Sequence, residues 1–597
     1  MLESVSRQTY GGWEHILVDD YSDEPGVTSM LDEAAAGDHR VHVHHRGEQG
    51  GIVAATNDGL RLARGEFVAF LDHDDELHPK ALERVAAQIA AHPDVDYLYS
   101  DQDKIDERGL HFEPFVKPGW SPDRLLSQMY ITHFRVVRRS LVQELGGLRA
   151  GFDGSQDWDL ALRVAERTQR ITHVPGLLYH WRTSPGSAAG DPDAKPWAHD
   201  ASQRAVSEHA EKTGIQATVE TIPGYPGHYW LRPGLVDRPL VSIVIPTAGR
   251  AREVDGVEGP LVLNCVRSIV ERTTYDNYEL VIVVDAETPE AVNEELRRLG
   301  GDRIRLVRFE GPFNFSAKVN LGVRESAGEQ ILLLNDDTEV VPAGWRPPRD
   351  ELFGVLPDWA EMESGGGRIW IESMLVYALQ TGVGAVGAKL YLPDGKLQHG
   401  GVIGWGGNAG HPFYLWPAGT PGYVGNLMVA SNFLAVTAAC LMSPRAAFDE
   451  VGGFDEDFPV NYNDVDYCLK LGRAGLRSVL LPHVELLHYE STSRGEEPPQ
   501  TGEIEMLRQR WGEILENDPY YGSAFIDPDF SLPALGRRGE FQARPDLLSY
   551  VDRLRRTYEA GGLRLVGERM QMRLRHLGRV ARGRLRGAWH ARVSGNR

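Results

Sequence analysis

The chain has 597 residues, of which 42% are hydrophobic and 25% charged, a balance typical of a globular protein with about two to four domains. Its formal net charge is -22, although residues 553–597 carry thirteen Arg and no Lys against two Glu. An acidic body argues against nucleic acid as a principal partner. The three cysteines, Cys265, Cys440 and Cys468, are scattered, which argues against a disulfide framework and for a reducing compartment.

We expect neither a membrane span nor an N-terminal signal peptide. No apolar run reaches the length of a membrane span, and the first residues lack the pattern of a signal peptide, so we expect a cytoplasmic protein. The Arg-rich C-terminal segment places apolar residues at helical spacing. Two interpretations stay open for it: a solvated helix packed on the body, or a basic helix lying peripherally on the anionic inner face of the cell membrane.

The first part of the chain alternates short apolar strands with helices. A strand at residues 15–18 ends in Asp19 and Asp20, and a helix containing Asn57 leads into a strand that ends at Asp72-His-Asp74. This alternation predicts βαβ units and a mostly parallel sheet.

The second part of the chain repeats the first. A strand at 240–246 opens it, a later strand ends at Asp285, and a helix containing Asn320 leads into the strand that ends at Asn335-Asp336-Asp337. Asn57 precedes Asp74 by 17 residues, and Asn320 precedes Asp337 by the same 17. The chain is therefore predicted to be a tandem repeat of one α/β unit.

The first repeat has no counterpart of the strand and turn at residues 240–250. Aligning Asp20 with Asp285 leaves that strand unmatched. Three explanations stay open: the start is assigned too late, the strand is supplied another way, or the first repeat is a degenerate domain that positions an acceptor. We predict an N-terminal α/β domain at residues 1–222 without its first strand. The remaining predicted parts are a Pro- and Gly-rich linker at 223–239, a complete α/β domain at 240–535 and a basic helical tail at 536–597.

Acidic residues at matched strand ends predict a divalent cation that also holds phosphate groups. Ligands of open α/β sheets bind at the carboxyl ends of strands. Mg²⁺ and Mn²⁺ take one or two protein carboxylates and leave positions for phosphate oxygens. A solvated acidic cap is the common alternative for one segment alone, but two matched segments, Asp72-His-Asp74 and Asn335-Asp336-Asp337, favour the cation site.

Asp157 and Asp464 are candidate general bases. Each begins a predicted helix, where the helix dipole stabilises a carboxylate, and each is followed two residues later by a second acid, Asp159 or Asp466. N-capping explains one Asp at such a place and explains a repeated pair less well. A general base must be ionised near neutral pH and lie close to the hydroxyl it activates. The second acids either orient the helix or contact the acceptor.

A histidine follows each of these pairs at nearly the same distance. His180 comes 23 residues after Asp157, and His488 comes 24 residues after Asp464. A lone His after an apolar strand is usually structural. Its repetition favours a contact with a metal or a diphosphate.

With these motifs in place, both repeats resemble the GT-A fold of the family-2 glycosyltransferases, and in particular bacterial tandem-domain enzymes of the rhamnosyltransferase, O-antigen or cell-wall polysaccharide type. The resemblance covers residues 1–530. It is carried by the DxD-type segments and by three further motifs: Val241-Ser-Ile-Val-Ile-Pro-Thr, Gly452-Gly-Phe-Asp-Glu-Asp-Phe and His488-Tyr-Glu-Ser.

The resemblance implies roles for single residues. In that family the first strand and the acid that ends the second strand border the nucleotide, the DxD segment and the later His hold the metal and diphosphate, and the later Asp is the base. The implied nucleotide-binding residues are Pro246, Thr247, Asp285 and Asp20. The implied metal and donor-diphosphate residues are Asp336, Asp337, His488, Asp72, Asp74 and His180, and the implied bases are Asp464 and Asp157, with Asp466 and Asp159 on the acceptor side.

The resemblance thus implies an inverting, Mn²⁺- or Mg²⁺-dependent transfer of a sugar from a nucleotide-diphosphate sugar to a hydroxyl of a cell-envelope glycan or lipid-linked acceptor. Asn335 replaces the first acid of DxD, but we expect activity in the second repeat because it has the first strand. A non-catalytic scaffold that binds nucleotide sugar or glycan is the alternative. A nucleotidyltransferase ranks last, because it would need a Gly-rich basic loop where residues 246–250 stand.

Overall fold

A computed structural model describes residues 1–183, 196–254, 257–342, 344–346, 368–489 and 501–521. The predicted basic tail and the last residues of the second predicted domain lie outside these ranges. Among the described residues, no helix combines the length and the apolar character that crossing a bilayer requires.

The first repeat consists of ten strands and eight helices within the described ranges. Its strands are β1 His15–Asp19, β2 Val41–His45, β3 Phe67–Phe70, β4 Glu76–Leu77, β5 Tyr97–Ile105, β6 His111–Phe115, β7 Arg135–Arg138, β8 Ile171–Arg182, β9 Ala217–Thr221 and β10 Tyr229–Pro233. Its helices are α1 Leu2–Ser6, α2 Val27–Gly37, α3 Gly51–Leu62, α4 Ala81–Ala91, α5 Pro122–Leu125, α6 Arg139–Glu144, α7 Gln156–Ala165 and α8 Pro196–Thr213.

The second repeat contains the larger sheet. Its strands are β11 Val241–Thr247, β12 Ala251–Val254, β13 Val257–Pro260, β14 Tyr278–Asp285, β15 Ile304–Phe309, β16 Gln330–Leu334, β17 Thr338–Val340, β18 Val383–Tyr391, β19 Leu397–His399, β20 Ile403–Trp405, β21 Asn408–Gly410, β22 Ser431–Phe433, β23 Cys440–Pro444 and β24 Arg477–His488. Its helices are α9 Leu261–Arg272, α10 Glu290–Gly300, α11 Phe315–Arg324, α12 Trp370–Ala378, α13 Arg445–Glu450, α14 Asn463–Arg473 and α15 Thr501–Glu516.

The two repeats share one strand order. In the second repeat the sheet runs β15-β14-β11-β16-β23-β18-β24-β17. In the first repeat the same order is split into a sheet β1-β2 and a sheet β3-β7-β5-β8-β4. The described part of the first repeat therefore has no counterpart of β11, the strand that joins the two halves. This confirms the prediction of tandem α/β units, the first without its opening strand.

Strand β11 can hold the second sheet together because it is mostly apolar and lies between two partner strands. All seven of its residues are buried, and it pairs in parallel with β14 on one side and β16 on the other. Helix α11 covers it closely at Gly322, where a Cβ atom would lie 2.4 Å from Val244 Cγ1 and 2.9 Å from Val283 Cγ2. Only glycine permits this approach without displacing the strands.

The repeated asparagines fix the same turn in both repeats. The Asn320 side chain donates to the Phe454 carbonyl at 2.9 Å and accepts from the Phe454 amide at 3.0 Å. Asn57 makes the same two bonds with Leu148, both at 2.9 Å. The two asparagines noted in the sequence thus share one backbone anchor.

Part of the predicted linker is ordered as a strand between the repeats. Strand β10 pairs antiparallel with β9, packs against α12, and buries Tyr229, Trp230 and Leu231. The Trp230 ring lies 5.7 Å from the ring of His483 in the second repeat.

A buried ion pair also connects the repeats. The Asp123 carboxylate on α5 is fully buried and accepts from Arg477 Nε at 2.5 Å and from Asn432 Nδ2 at 2.7 Å. Breaking one side of a buried pair leaves the other charge without compensation.

Asp123→Ala is therefore expected to lower the free energy of unfolding by about 3–5 kcal/mol. Urea unfolding of the full chain measures this loss. The exposed Asp449, replaced in the same way, is the matched control. A loss no larger than that of Asp449→Ala would show that the ion pair does not hold the repeats together.

Candidate functional site at the strand ends of the second repeat

The carboxyl ends of β11 and β16 bring the first two predicted residues into contact. Thr247 ends β11 and follows the buried Pro246. The Thr247 hydroxyl donates to Asp336 Oδ2 at 2.6 Å and accepts from the Gly249 amide at 2.9 Å. Because β11 and β16 are parallel neighbours, their ends meet at one edge of the sheet, as the sequence predicted.

Asp285, at the end of β14, pairs with a buried lysine. Lys318 Nζ lies 2.6 Å from Asp285 Oδ1 and donates to the Thr247 carbonyl at 2.9 Å. Lys318 is on α11 and only 1% exposed. A buried ammonium requires such partners, and here it joins the ends of two strands.

The acidic segment after β16 meets His488. His488 Nε2 lies 3.1 Å from Asp337 Oδ1 and 3.4 Å from Asn335 Nδ2. Burial, together with the adjacent Asp337 carboxylate, raises the pKa of Asp336 to about 7. Carboxylates and an imidazole are donor types that a divalent cation accepts. The Asp337 and His488 atoms lie within reach of one another, while Asp336 Oδ2 is hydrogen-bonded to Thr247.

Asp464 lies one backbone segment away from this group. It stands in the first turn of α14, and its Oδ2 accepts from the Ala438 amide at 3.1 Å. The next residue, Ala439, accepts from the Asn335 amide at 3.2 Å. The loop before β23 therefore connects the candidate base to the strand end that carries the candidate metal ligands.

The Asp466 side chain points into the protein and is fully buried. Its Oδ1 accepts from Arg510 Nη1 and Trp511 Nε1, both at 2.8 Å, and its Oδ2 lies 3.6 Å from Lys470 Nζ. Of the two roles predicted for this residue, these contacts favour orientation of the helix, because they fasten α15 to α14.

Asp466→Ala is expected to destabilise the chain by about 1–3 kcal/mol, because the buried Trp511 N–H loses its acceptor. Thermal unfolding of the variant beside Asp457→Ala, an exposed carboxylate, measures the effect. Equal melting temperatures for Asp466→Ala and Asp457→Ala would show that Asp466 has no structural role.

In the first repeat, Asp20 caps the start of α3. It accepts from the Gly50 and Gly51 amides at 2.9 and 2.7 Å and pairs with Arg46. The Asp20 carboxylate, which was predicted to bind the nucleotide, thus binds backbone amides and an arginine of the protein. Arg46 takes the place beside it that Lys318 takes beside Asp285.

The acidic turn of the first repeat is longer than its counterpart. Glu76 pairs with His180 and Thr338 pairs with His488, so Asp75, one residue beyond the predicted Asp74, stands at the position of Asp337. Burial, which outweighs its bonds from the Tyr179 hydroxyl and the Arg182 amide, raises the pKa of Asp75 to about 7.

The structure divides the predicted metal ligands of the first repeat. Asp72 lies near Asp75 and His133, whose ligand atoms are within 4.8 Å of one another. His180 lies in a second group with Asp103 and His111. Asp74 contributes its carbonyl, which accepts from Arg182 Nε at 2.9 Å.

The candidate base of the first repeat is paired with an arginine. Asp157 Oδ2 lies 3.4 Å from Arg135 Nη1. Arg135 pairs with the last residue of β3, and Cys440 holds that place beside β16. Asp159, like Asp466, is buried and accepts from two arginines, Arg149 and Arg163, at 2.8 and 2.9 Å.

Several residues of these sites were missed by the comparison of repeats. Lys318 aligns with Ala55, so no repeated pattern marked it. His399 is fully buried with its Nδ1 2.9 Å from His411 Nδ1. Burial and the neighbouring His411 and His488 hold the pKa of His399 well below its usual range. A residue that is present in one repeat and absent from the other cannot be found by aligning the two repeats.

Comparison with known proteins finds a family match in each repeat. The model of the family named Glycosyl transferase family 2 matches residues 1–146 and 242–347, one segment in each repeat. Uncharacterized protein y4gI of Sinorhizobium fredii is 40% identical over 533 residues, 87% of this chain and 55% of that protein. The O-antigen biosynthesis protein RfbC of Myxococcus xanthus is 36% identical over 526 residues, 87% of this chain and 38% of that protein.

A shorter relative matches over most of its own length. The PGL/p-HBAD biosynthesis glycosyltransferase of Mycobacterium bovis is 31% identical over 184 residues, 30% of this chain and 70% of that protein. The chain itself spans about half or less of the two longer relatives. The structure therefore defines a tandem of two α/β units with acidic strand ends. The chain belongs to glycosyl transferase family 2.

Proposed function

We propose that the second repeat is an inverting glycosyltransferase that moves a sugar from a nucleotide-diphosphate sugar to a hydroxyl group. The observation that carries this proposal is the meeting of Thr247, Asp336, Asp337 and His488 at one sheet edge, with Asp464 one backbone segment away. Membership of glycosyl transferase family 2 supports the reaction class.

The nucleotide would bind along the ends of β11 and β14. Asp285 and the Lys318 ammonium, which lie 2.6 Å apart, offer an acceptor and a donor beside the Pro246-Thr247 turn. Lys318 would also place a positive charge near the diphosphate. Ligands of open α/β sheets bind at the carboxyl ends of strands, where both of these groups lie.

Asp337, His488 and Asp336 would hold a Mn²⁺ or Mg²⁺ ion. Their donor set of two carboxylates and one imidazole fits such an ion. When bound, the ion would neutralise negative charge on the departing nucleoside diphosphate. Asn335 stands in place of the first acid of DxD, with its Nδ2 atom 3.4 Å from His488 Nε2.

Asp464 would act as the general base. Its carboxylate takes the proton of the acceptor hydroxyl while that oxygen forms a bond to the anomeric carbon. The bond from the anomeric carbon to the phosphate oxygen breaks, and its electron pair leaves with the nucleoside diphosphate. Attack from the face opposite the leaving group inverts the anomeric configuration, by analogy with single-displacement glycosidases.

The first repeat supports the second without sharing its chemistry. Arg135 beside Asp157 and the backbone amides on Asp20 occupy the groups that would serve as base and nucleotide ligand. We infer that the first repeat positions the acceptor. A cell-envelope glycan or a lipid-linked glycan is the acceptor class that we propose, in keeping with the name of the relative RfbC, an O-antigen biosynthesis protein. The reaction would then take place in the cytoplasm, at the inner face of the membrane.

Product analysis tests this proposal. The full chain is incubated with Mn²⁺, a panel of nucleotide-diphosphate sugars and lipid-linked glycan acceptors, and products are identified by mass spectrometry. We expect one donor to give an acceptor heavier by one sugar residue, with release of nucleoside diphosphate. Tight binding of donor and acceptor without transfer or donor hydrolysis would instead establish a non-catalytic scaffold.

A further inference from the structure

Three side chains of the first repeat form a compact group apart from the residues proposed for sugar transfer. Asp103 on β5, His111 on β6 and His180 on β8 offer ligand atoms that all lie within 4.8 Å of one another. Asp103 Oδ1 lies 2.6 Å from His180 Nδ1, and Asp103 Oδ2 lies 2.9 Å from His111 Nδ1.

The sheet fixes this arrangement. Asp103 and His180 are directly paired in the parallel ladder of β5 and β8. His111 begins β6, which runs antiparallel to β5, and it pairs there with Ile105. Ligands carried by neighbouring strands are held more accurately than ligands on loops, so little rearrangement is needed to use all three together.

We propose that Asp103, His111 and His180 bind a transition-metal ion of the Zn²⁺ type. Two imidazoles and one carboxylate are a donor set that Zn²⁺ accepts, with a fourth position left for water. Hard cations such as Mg²⁺ prefer oxygen ligands. The site is therefore chemically different from the carboxylate-rich group at the strand ends of the second repeat.

The distances leave room for this ion after a small adjustment. Bonds of about 2.0–2.1 Å at a tetrahedral angle place two ligand atoms roughly 3.3 Å apart. The two oxygen–nitrogen distances, 2.6 and 2.9 Å, would open by about 0.7 and 0.4 Å as the ion replaces the shared protons, which pass to solvent. The His111 side chain is 46% exposed while that of Asp103 is 6% exposed, so an ion can enter from the His111 side.

Such an ion would fasten β6 to the sheet. Strand β6 pairs only with β5 within the described residues, and the edge-on contact of the His111 and His180 rings, 4.5 Å between centroids, is its lateral link to β8. A ligand that binds only the folded state stabilises it by mass action. We therefore expect Zn²⁺ to raise the melting temperature of the chain.

The same two strands provide a matched control. His173 Nε2 lies 2.7 Å from Asp101 Oδ1, a pairing of β8 with β5 that lacks a second imidazole. The full chain is stripped with a chelator, and Zn²⁺ binding is measured by titration calorimetry for wild type, His111→Ala, Asp103→Asn and His173→Ala. Co²⁺ absorption spectra of the same proteins report imidazole ligation directly.

We expect wild type and His173→Ala to bind one Zn²⁺ at this site, and His111→Ala and Asp103→Asn to bind it about 100-fold more weakly or not at all. Circular dichroism confirms that each variant is folded, and the exposed position of His111 makes its replacement the safer of the two. Absence of Zn²⁺ binding by the wild type at micromolar concentration would overturn the proposal. Binding that survives both substitutions, or that disappears only in His133→Ala, would overturn it equally.

Discussion

Replacing Asp464 by Asn is expected to reduce sugar transfer about 10²–10⁴-fold, the contribution typical of a general base, while nucleotide binding persists. The amide keeps the size of the side chain but cannot take the acceptor proton. Its single oxygen can still accept from one of the two backbone amides that Asp464 contacts, those of Ala438 at 3.1 Å and Val465 at 2.8 Å. The fold should therefore survive. Initial rates of nucleoside diphosphate release, with calorimetric binding of the same diphosphate, separate the two effects.

Two further variants sharpen this experiment. Asp457→Asn, an exposed carboxylate that precedes α14, controls for a loss of charge near the site. Asp157→Asn tests the counterpart in the first repeat, which is paired with Arg135. Full transfer by Asp464→Asn together with loss in Asp157→Asn would move the reaction to the first repeat and refute the proposed base.

Removing Asp337 or His488 is the second change with a large expected effect. Asp337→Ala and His488→Ala should each raise the Mn²⁺ concentration needed for half-maximal transfer by about 100-fold or more, since loss of a supporting partner alone typically costs 10–100-fold. The physical reason is that the two side chains, 3.1 Å apart, would bind the same ion. Transfer rates over a Mn²⁺ titration measure the shift.

His483→Ala is a suitable control for the histidine. His483 lies on the same strand, β24, but it packs against Trp230 at the contact between repeats. An unchanged Mn²⁺ requirement in Asp337→Ala and His488→Ala would contradict the assignment of these residues to the metal.

The tandem α/β organisation could be predicted because the same pattern of strands, helices and acidic residues occurs twice in the sequence. Apolar strands that end in acids, at equal spacing from Asn57 and Asn320, correspond to strands β3 and β16 and to a shared turn anchor. The absent opening strand was also visible in the alignment, and it appears as a sheet split between β1 and β3. Patterns that repeat are informative because one fold must satisfy both copies.

Side-chain partners were less accessible to prediction. His180 lies beside Asp103 and His111 because β5 pairs with both β6 and β8. The pairing of strands that are far apart in the sequence cannot be predicted from the local spacing of residues. The extra residue in the turn that ends at Asp75 likewise shifts the register by one position. Lys318 escaped notice because its aligned partner is Ala55. These features differ between the repeats, so comparing them could not reveal them.

The most direct measurement is a crystal structure of the full chain with Mn²⁺ and a nucleoside diphosphate, using anomalous scattering at the manganese edge. The account predicts a manganese peak between Asp337 and His488, with the diphosphate beside it and the nucleoside along Thr247 and Asp285. A manganese peak confined to Asp72, Asp75 and His133 in the first repeat, or a nucleotide bound away from β11, would contradict it.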